Sequence, residues 1–156
     1  MLYLIRDFLH LLATVTWIGG MIYINLALMP GLTAIDPPQR GKLMGAVGKR
    51  FAILSWSSVL ILLITGYLKT PEGMLFETLT SYGMTLTVKH FTIMGMMVVG
   101  IYISLVIVPQ MGTLAPKPGE PPSPDFIKAQ KRLPMLSVTN MILGIVVLFC
   151  AALLRQ

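Results

Sequence analysis

The sequence predicts an all-α integral membrane protein, an up-down-up-down bundle of four transmembrane helices with both termini outside. Three observations carry this. The 156 residues are 55% hydrophobic and only 12% charged, whereas a soluble domain holds about 25% charged residues. Mean hydropathy is +0.79. The apolar residues gather into four runs, roughly 8–29, 51–68, 84–108 and 134–154, each long enough to be a span of ~20 residues. Four spans use up the chain, so a single membrane domain 1–156 is expected, with its chemistry within or beside the bilayer.

Charge and proline bound each run. The first begins after Arg6-Asp7 and meets Pro30, Gly31 and the Pro37-Pro38 pair, residues that punctuate helices. Asp36 before two prolines reads as a helix start, so the second helix begins at the membrane surface and enters lipid after Lys49-Arg50. "MLFETLTSYG" is too short to span and reads as a loop with one turn of interfacial helix. The third helix is expected to end at Pro109. Residues 112–124 are dense in proline and glycine and read as the mobile segment. The fourth helix starts near Asp125 and meets a kink at Pro134. Helices are therefore expected at about 3–29, 37–68, 84–108 and 125–154.

Orientation follows from lysine and arginine. Arg40, Lys42, Lys49 and Arg50, with Lys117, Lys128, Lys131 and Arg132, fall on one side; Arg6, Lys69 and Arg155 fall on the other. The positive-inside rule puts both termini outside. The first run has no small-residue cleavage site of the A-x-A kind and reads as a retained span. This distribution assigns the +6 net charge to membrane topology, and no nucleic-acid partner is expected. Cys150 is the single cysteine, so no intrachain disulfide forms, and its place in an apolar run gives it a packing role.

The two histidines, His10 and His90, carry the chemical reading. Under this topology both lie within one or two turns of the outer interface, on the first and third helices. In a bundle with short loops those helices face each other diagonally. With neighbouring axes ~8–10 Å apart the diagonal is roughly 13 Å, which suits a planar porphyrin between two imidazoles. The sequence therefore predicts haem b held by His10 and His90 as neutral axial ligands. Arg6 and Lys89 are placed to meet the propionates, with Thr14, Trp17, Met94 and Met97 along the pocket wall. A packing role for either histidine, and pairing of Lys89 with Asp7, are the plainer alternatives.

Copper is the competing chemistry. His90, Met94 and Met97 fall on one helical face at i, i+4 and i+7, and imidazole with thioether suits Cu(I). No metal-binding cysteine pair, phosphate loop or nucleophile-and-base set occurs, which excludes hydrolytic and nucleotide-driven functions.

"LHLLATVTWIGGMIY", "RFAILSWSSVLILLITGY", "VKHFTIMGMMVVGIYI" and "TNMILGIVVLFCAALL" together resemble the copper resistance protein D family of bacterial membrane proteins. The landmarks are His10, Trp17, Gly19 and Gly20, then Arg50-Phe51 and Thr65-Gly66. The resemblance implies copper transport or tolerance. The layout is also similar to HemJ-type protoporphyrinogen oxidase, where a histidine in the first helix and a lysine in the third match His10 and Lys89. Gly19 and Gly20 read as a place where a backbone or flat ligand approaches closely, and Asn140 as interhelical glue.

The leading expectation is thus a b-type haem protein of a bacterial or archaeal plasma membrane, transferring single electrons with quinone or a redox partner protein. Cu(I) transport or tolerance is the alternative, and porphyrinogen oxidation the third. A membrane subunit docked on a larger partner, and a homodimer, complete the partner expectations.

Overall fold

The computed structural model describes residues 1–71, 73–116 and 120–154. Lys117 and Arg155, two of the cations used for orientation, and residues 117–119 of the proline-rich segment lie outside the described residues. The described chain is helical without strands. Four helices are long and apolar enough to cross a membrane: α1 Leu2–Ala34, α2 Pro37–Lys69, α3 Ser81–Thr113 and α4 Pro124–Leu153. They fall into two compact units, Met1–Gly83 and Met84–Gln156.

Two helices run further than their prolines suggest, for one reason. A proline inside a helix has no N–H for the carbonyl four residues back and its ring crowds that carbonyl. α1 passes Pro30 by opening into a π turn at Ile24–Leu28 just before it, and α3 passes Pro109 with the same device at Ile103–Ile107. The wider turn relieves the crowding, so neither proline ends its helix. α4 carries Pro134 in its interior. The segment between α2 and α3 forms turns without an interfacial helix in its described residues.

The first unit is built on an antiparallel pair, α1 against α2. Its tight end is made by Arg40, whose guanidinium donates to the carbonyls of Ile35 and, at 3.0 Å, Thr33. α2 starts after Asp36 in an extended conformation with proline at its first turn, where a missing N–H costs nothing. Midway, the Phe51 ring lies against Gly20, so closely that a methyl group at Gly20 would overlap it. The close approach expected at Gly19-Gly20 is therefore taken by a side chain of the chain itself. In the second unit, the Ile103–Thr113 part of α3 packs on α4, and Ile107 of the π turn and Ala129 are buried.

The burial pattern is that of a protein in lipid. Leu105, Phe149, Ile53, Leu26 and Val98 are exposed, while Ser58, Thr65, Thr87 and Asn140 are buried. Polar groups go inward because the bilayer offers them no partners. Threonines solve the problem within their own helix: Thr92 donates to Val88 O at 2.8 Å and Thr139 to Met135 O at 3.0 Å.

Outside the apolar spans, Glu77 organises the start of α3. Its carboxylate accepts from the Thr80 and Leu79 amides and from the Thr80 hydroxyl, and that hydroxyl accepts from Gly83 N at 3.0 Å. The hydroxyl thus satisfies one of the helix's orphan amides. The Thr80 hydroxyl and the backbone donors hold the Glu77 carboxyl below its ordinary value of 4.5.

Gly20→Ala lowers stability by about 1–3 kcal/mol through overpacking on Phe51. Gly45→Ala, with open space around it, is neutral or stabilising by up to about 1 kcal/mol; unfolding in mixed micelles separates them. Because the folded Glu77 carboxyl is depressed, its contribution is complete above the ordinary carboxylate range and disappears as pH falls through the folded value. Glu77→Gln therefore flattens the acid limb of the stability profile.

Candidate functional site

Helix periodicity places Arg6, His10, Thr14 and Trp17 on one stripe of α1, at i, i+4, i+8 and i+11. The stripe meets the last turns of α2. There the His10 ring comes within hydrogen-bond distance of a buried hydroxyl, Nδ1 lying 2.7 Å from Thr65 Oγ1. The direction of this bond can be worked out. Thr65 donates its only hydroxyl proton to Ile61 O, 2.6 Å away in its own helix, so the same oxygen accepts from His10 Nδ1–H. In the neutral imidazole this bond selects the tautomer that carries its proton on Nδ1.

Three further contacts hold the ring and its helix. Thr14 Oγ1 donates to the His10 carbonyl at 2.7 Å. A Cβ at Gly66 would stand 3.7 Å from His10 Cε1, so the backbone of α2 passes close to the imidazole edge. Trp17 is buried two turns along, in the π turn Val15–Gly19. Insertions of this kind in a helix recur at functional sites.

One turn beyond His10, toward the N-terminus, the ends of α1 and α2 are tied together by charge. Asp7 Oδ1 accepts from Arg6 Nε at 3.0 Å and pairs with Lys69 Nζ at 3.1 Å. Arg6 Nη1 donates to Leu68 O at 3.1 Å, satisfying one of the terminal carbonyls of α2. The guanidinium also lies 5.1 Å from the Tyr3 ring centroid. Arg6 is thus the clamp between two helix ends in the structure, with Asp7 paired to Lys69.

The second unit holds the other predicted residues. Lys89, His90 and Met97 are half-buried, and each polar one of these is engaged in an interaction. Met94 is 48% exposed, and the methionine wholly buried in this helix is Met96. Met94 therefore presents its thioether at the surface of α3, while its neighbour two residues on fills the core. Among the described residues, no three His, Cys, Asp or Glu side chains converge on one point, so an all-protein zinc-type cage is not built.

Sequence reasoning did not find Thr65 as the partner of His10.

Four long apolar helices, one of them carrying a histidine fixed by a buried hydroxyl, define a multi-pass membrane protein with a candidate metal-ligand imidazole. The chain belongs to the copper resistance protein D family, whose model matches residues 45–154. The match takes in α2 from its third turn, α3 and α4, hence Thr65, His90, Met94 and Met97, and leaves out His10. An uncharacterized protein of Aquifex aeolicus (strain VF5) is 37% identical over 65 residues, which are 40% of this chain and 44% of that relative. The aligned part is thus less than half of the relative's length. No solved structure matches the chain.

Removing the Thr65 hydroxyl tests the tautomer assignment. Thr65→Val is expected to release the Nδ1 proton preference of one imidazole and leave the other unchanged, read by nitrogen-15 spectra of histidine-labelled protein. Thr65→Ser, which keeps the hydroxyl, preserves the wild-type pattern.

Proposed function

We propose that this protein binds Cu(I) within the membrane and serves in copper transport or tolerance at a bacterial or archaeal plasma membrane. The observation that carries the reading is the His10–Thr65–Ile61 chain. Metal-ligating imidazoles commonly donate their second ring N–H to an acceptor, which fixes the ring and raises the basicity of the ligating nitrogen. Thr65 supplies that acceptor to His10. Membership of the copper resistance protein D family supports copper as the metal, and copper here is cargo.

The residues have distinct parts in this reading. His10 Nε2 is a ligand atom, and Thr65 keeps the proton on Nδ1 so that Nε2 meets the metal unprotonated. Ile61 O holds the threonine rotor. Trp17 shields this side of α1, and Arg6, Asp7 and Lys69 lock the ends of the two helices. On α3, His90, Met94 and Met97 are further stations. Thioether and imidazole bind Cu(I) without charge, so release requires no buried anion to be reprotonated.

Haem b is the second reading, favoured by the same imidazole, because an axial ligand is oriented in the same way. His10 and His90, the two histidines of the chain, would hold the group. When bound, haem would supply one-electron chemistry, with quinone or a redox protein as the counterpart. The chain's own contribution would again be to present Nε2 in a fixed orientation.

Competition of purified protein against a Cu(I) chelator, with an absorption spectrum of the same sample, distinguishes the readings. His10→Ala is expected to abolish tight Cu(I) binding, and Thr65→Val to weaken it about 10- to 100-fold, the range for loss of a ligand's supporting hydrogen bond. Met94→Leu is expected to weaken Cu(I) binding. A pigmented protein with one haem per chain, lost in His10→Ala and in His90→Ala but retained in Met94→Leu, would replace copper by haem b.

A further inference from the structure

The second unit contains a cavity that the metal reading does not use. It lies where α3 ends and α4 begins, has a volume of about 300 Å³, and is lined by Gln110, Leu114, Asp125, Lys128, Ala129 and Arg132. Lys128 and Arg132 are four residues apart on α4 and therefore share a face. Ala129 is buried and, having only a methyl group, leaves the floor open.

The charge of this cavity does not cancel. Asp125 pairs with Lys128 at 3.4 Å. Among the described residues, Arg132 makes no hydrogen bond or ion pair, so its guanidinium charge is uncompensated. Gln110 brings an amide from the other helix. A planar guanidinium, an ammonium and an amide converging on one concavity match a tetrahedral oxyanion.

Depth points to the same chemistry. Gln110 follows Pro109 at the end of the apolar run of α3, and Arg132 stands two residues before Pro134, where the apolar part of α4 begins. The cavity therefore lies at the junction of apolar and polar chain in both helices, the level of phospholipid headgroups. Basic pockets between transmembrane helices suit anionic headgroups.

We propose that this cavity is a binding site for a phosphate group, that of an anionic phospholipid headgroup or of free phosphate, with Arg132 as its principal ligand and Lys128 and Gln110 as supporting donors. Asp125 orients Lys128 and at the same time opposes the anion.

The full-length protein in non-ionic detergent is titrated separately with phosphatidylglycerol, phosphatidylcholine and inorganic phosphate at fixed ionic strength, and bound species are counted by native mass spectrometry. Phosphatidylglycerol is expected to bind in preference to phosphatidylcholine. Arg132→Gln should weaken it about tenfold or more, the scale of one charge-assisted hydrogen bond; Arg132→Lys should retain part of it, and Asp125→Asn should tighten it. Lys131→Gln is the control: it removes the same charge one residue away from a side chain that does not line the cavity. Arg132-dependent binding of inorganic phosphate with no lipid preference would identify the free ion as the occupant. Equal losses in Arg132→Gln and Lys131→Gln, or no preference for either anionic probe, would overturn the site.

Discussion

A hydroxyl in a lipid-embedded helix must give its proton to something, and the nearest acceptor is the carbonyl one turn back. Thr65 does this with Ile61 O, at 2.6 Å, and the rest of the candidate site depends on it. Once the hydroxyl proton is committed, Thr65 Oγ1 can only accept from a neighbour. Its neighbour is His10 Nδ1, 2.7 Å away. A backbone hydrogen-bonding constraint within α2 thereby decides the protonation pattern of a side chain on α1. A single threonine thereby orients the imidazole.

Such a bond is useful only if the two helices cannot slide. A shift of one turn, ~5.4 Å, would take the imidazole well out of hydrogen-bond range. The register is fastened at three levels of the α1–α2 pair: Arg40 on the carbonyls of Thr33 and Ile35 at one end, Phe51 on Gly20 in the middle, and Arg6, Asp7, Leu68 and Lys69 at the other. The ion pairs are partly exposed, and such pairs contribute modestly. The guanidinium bonds to carbonyls at helix ends and the ring-on-glycine packing are therefore the main determinants of register. Arg40 and Arg6, which by sequence count as topology signals or propionate partners, are also structural ties.

Much of the architecture is legible from composition and periodicity. Four long apolar runs leave little choice of fold class in a chain of this length, and α2 and α4 begin where Asp36 and Ser123 precede proline. The extensions of α1 and α3 past Pro30 and Pro109 were not legible, because proline as a helix terminator assumes a regular α-helix before it, and a π turn removes that assumption. At the site, His10, Trp17 and the Thr65-Gly66 pair all stand out in the sequence. Their connection does not, since it depends on the register between helices 55 residues apart in the chain. Met94 was selected by its i+4 spacing from His90, but spacing does not say which face of α3 is covered, and Met96 is the methionine that fills the core.

In the proposed function His10 meets a metal through Nε2 while Thr65 holds the proton on Nδ1. The chain contains only two histidines, so each ring can be followed in the nitrogen-15 spectrum of histidine-labelled protein as Cu(I) is added, with His10→Ala supplying the assignment. His10 Nε2 is expected to shift while Nδ1 keeps its attached proton. An unperturbed His10 ring, or a metal-induced shift at Nδ1 with loss of its proton, would contradict it.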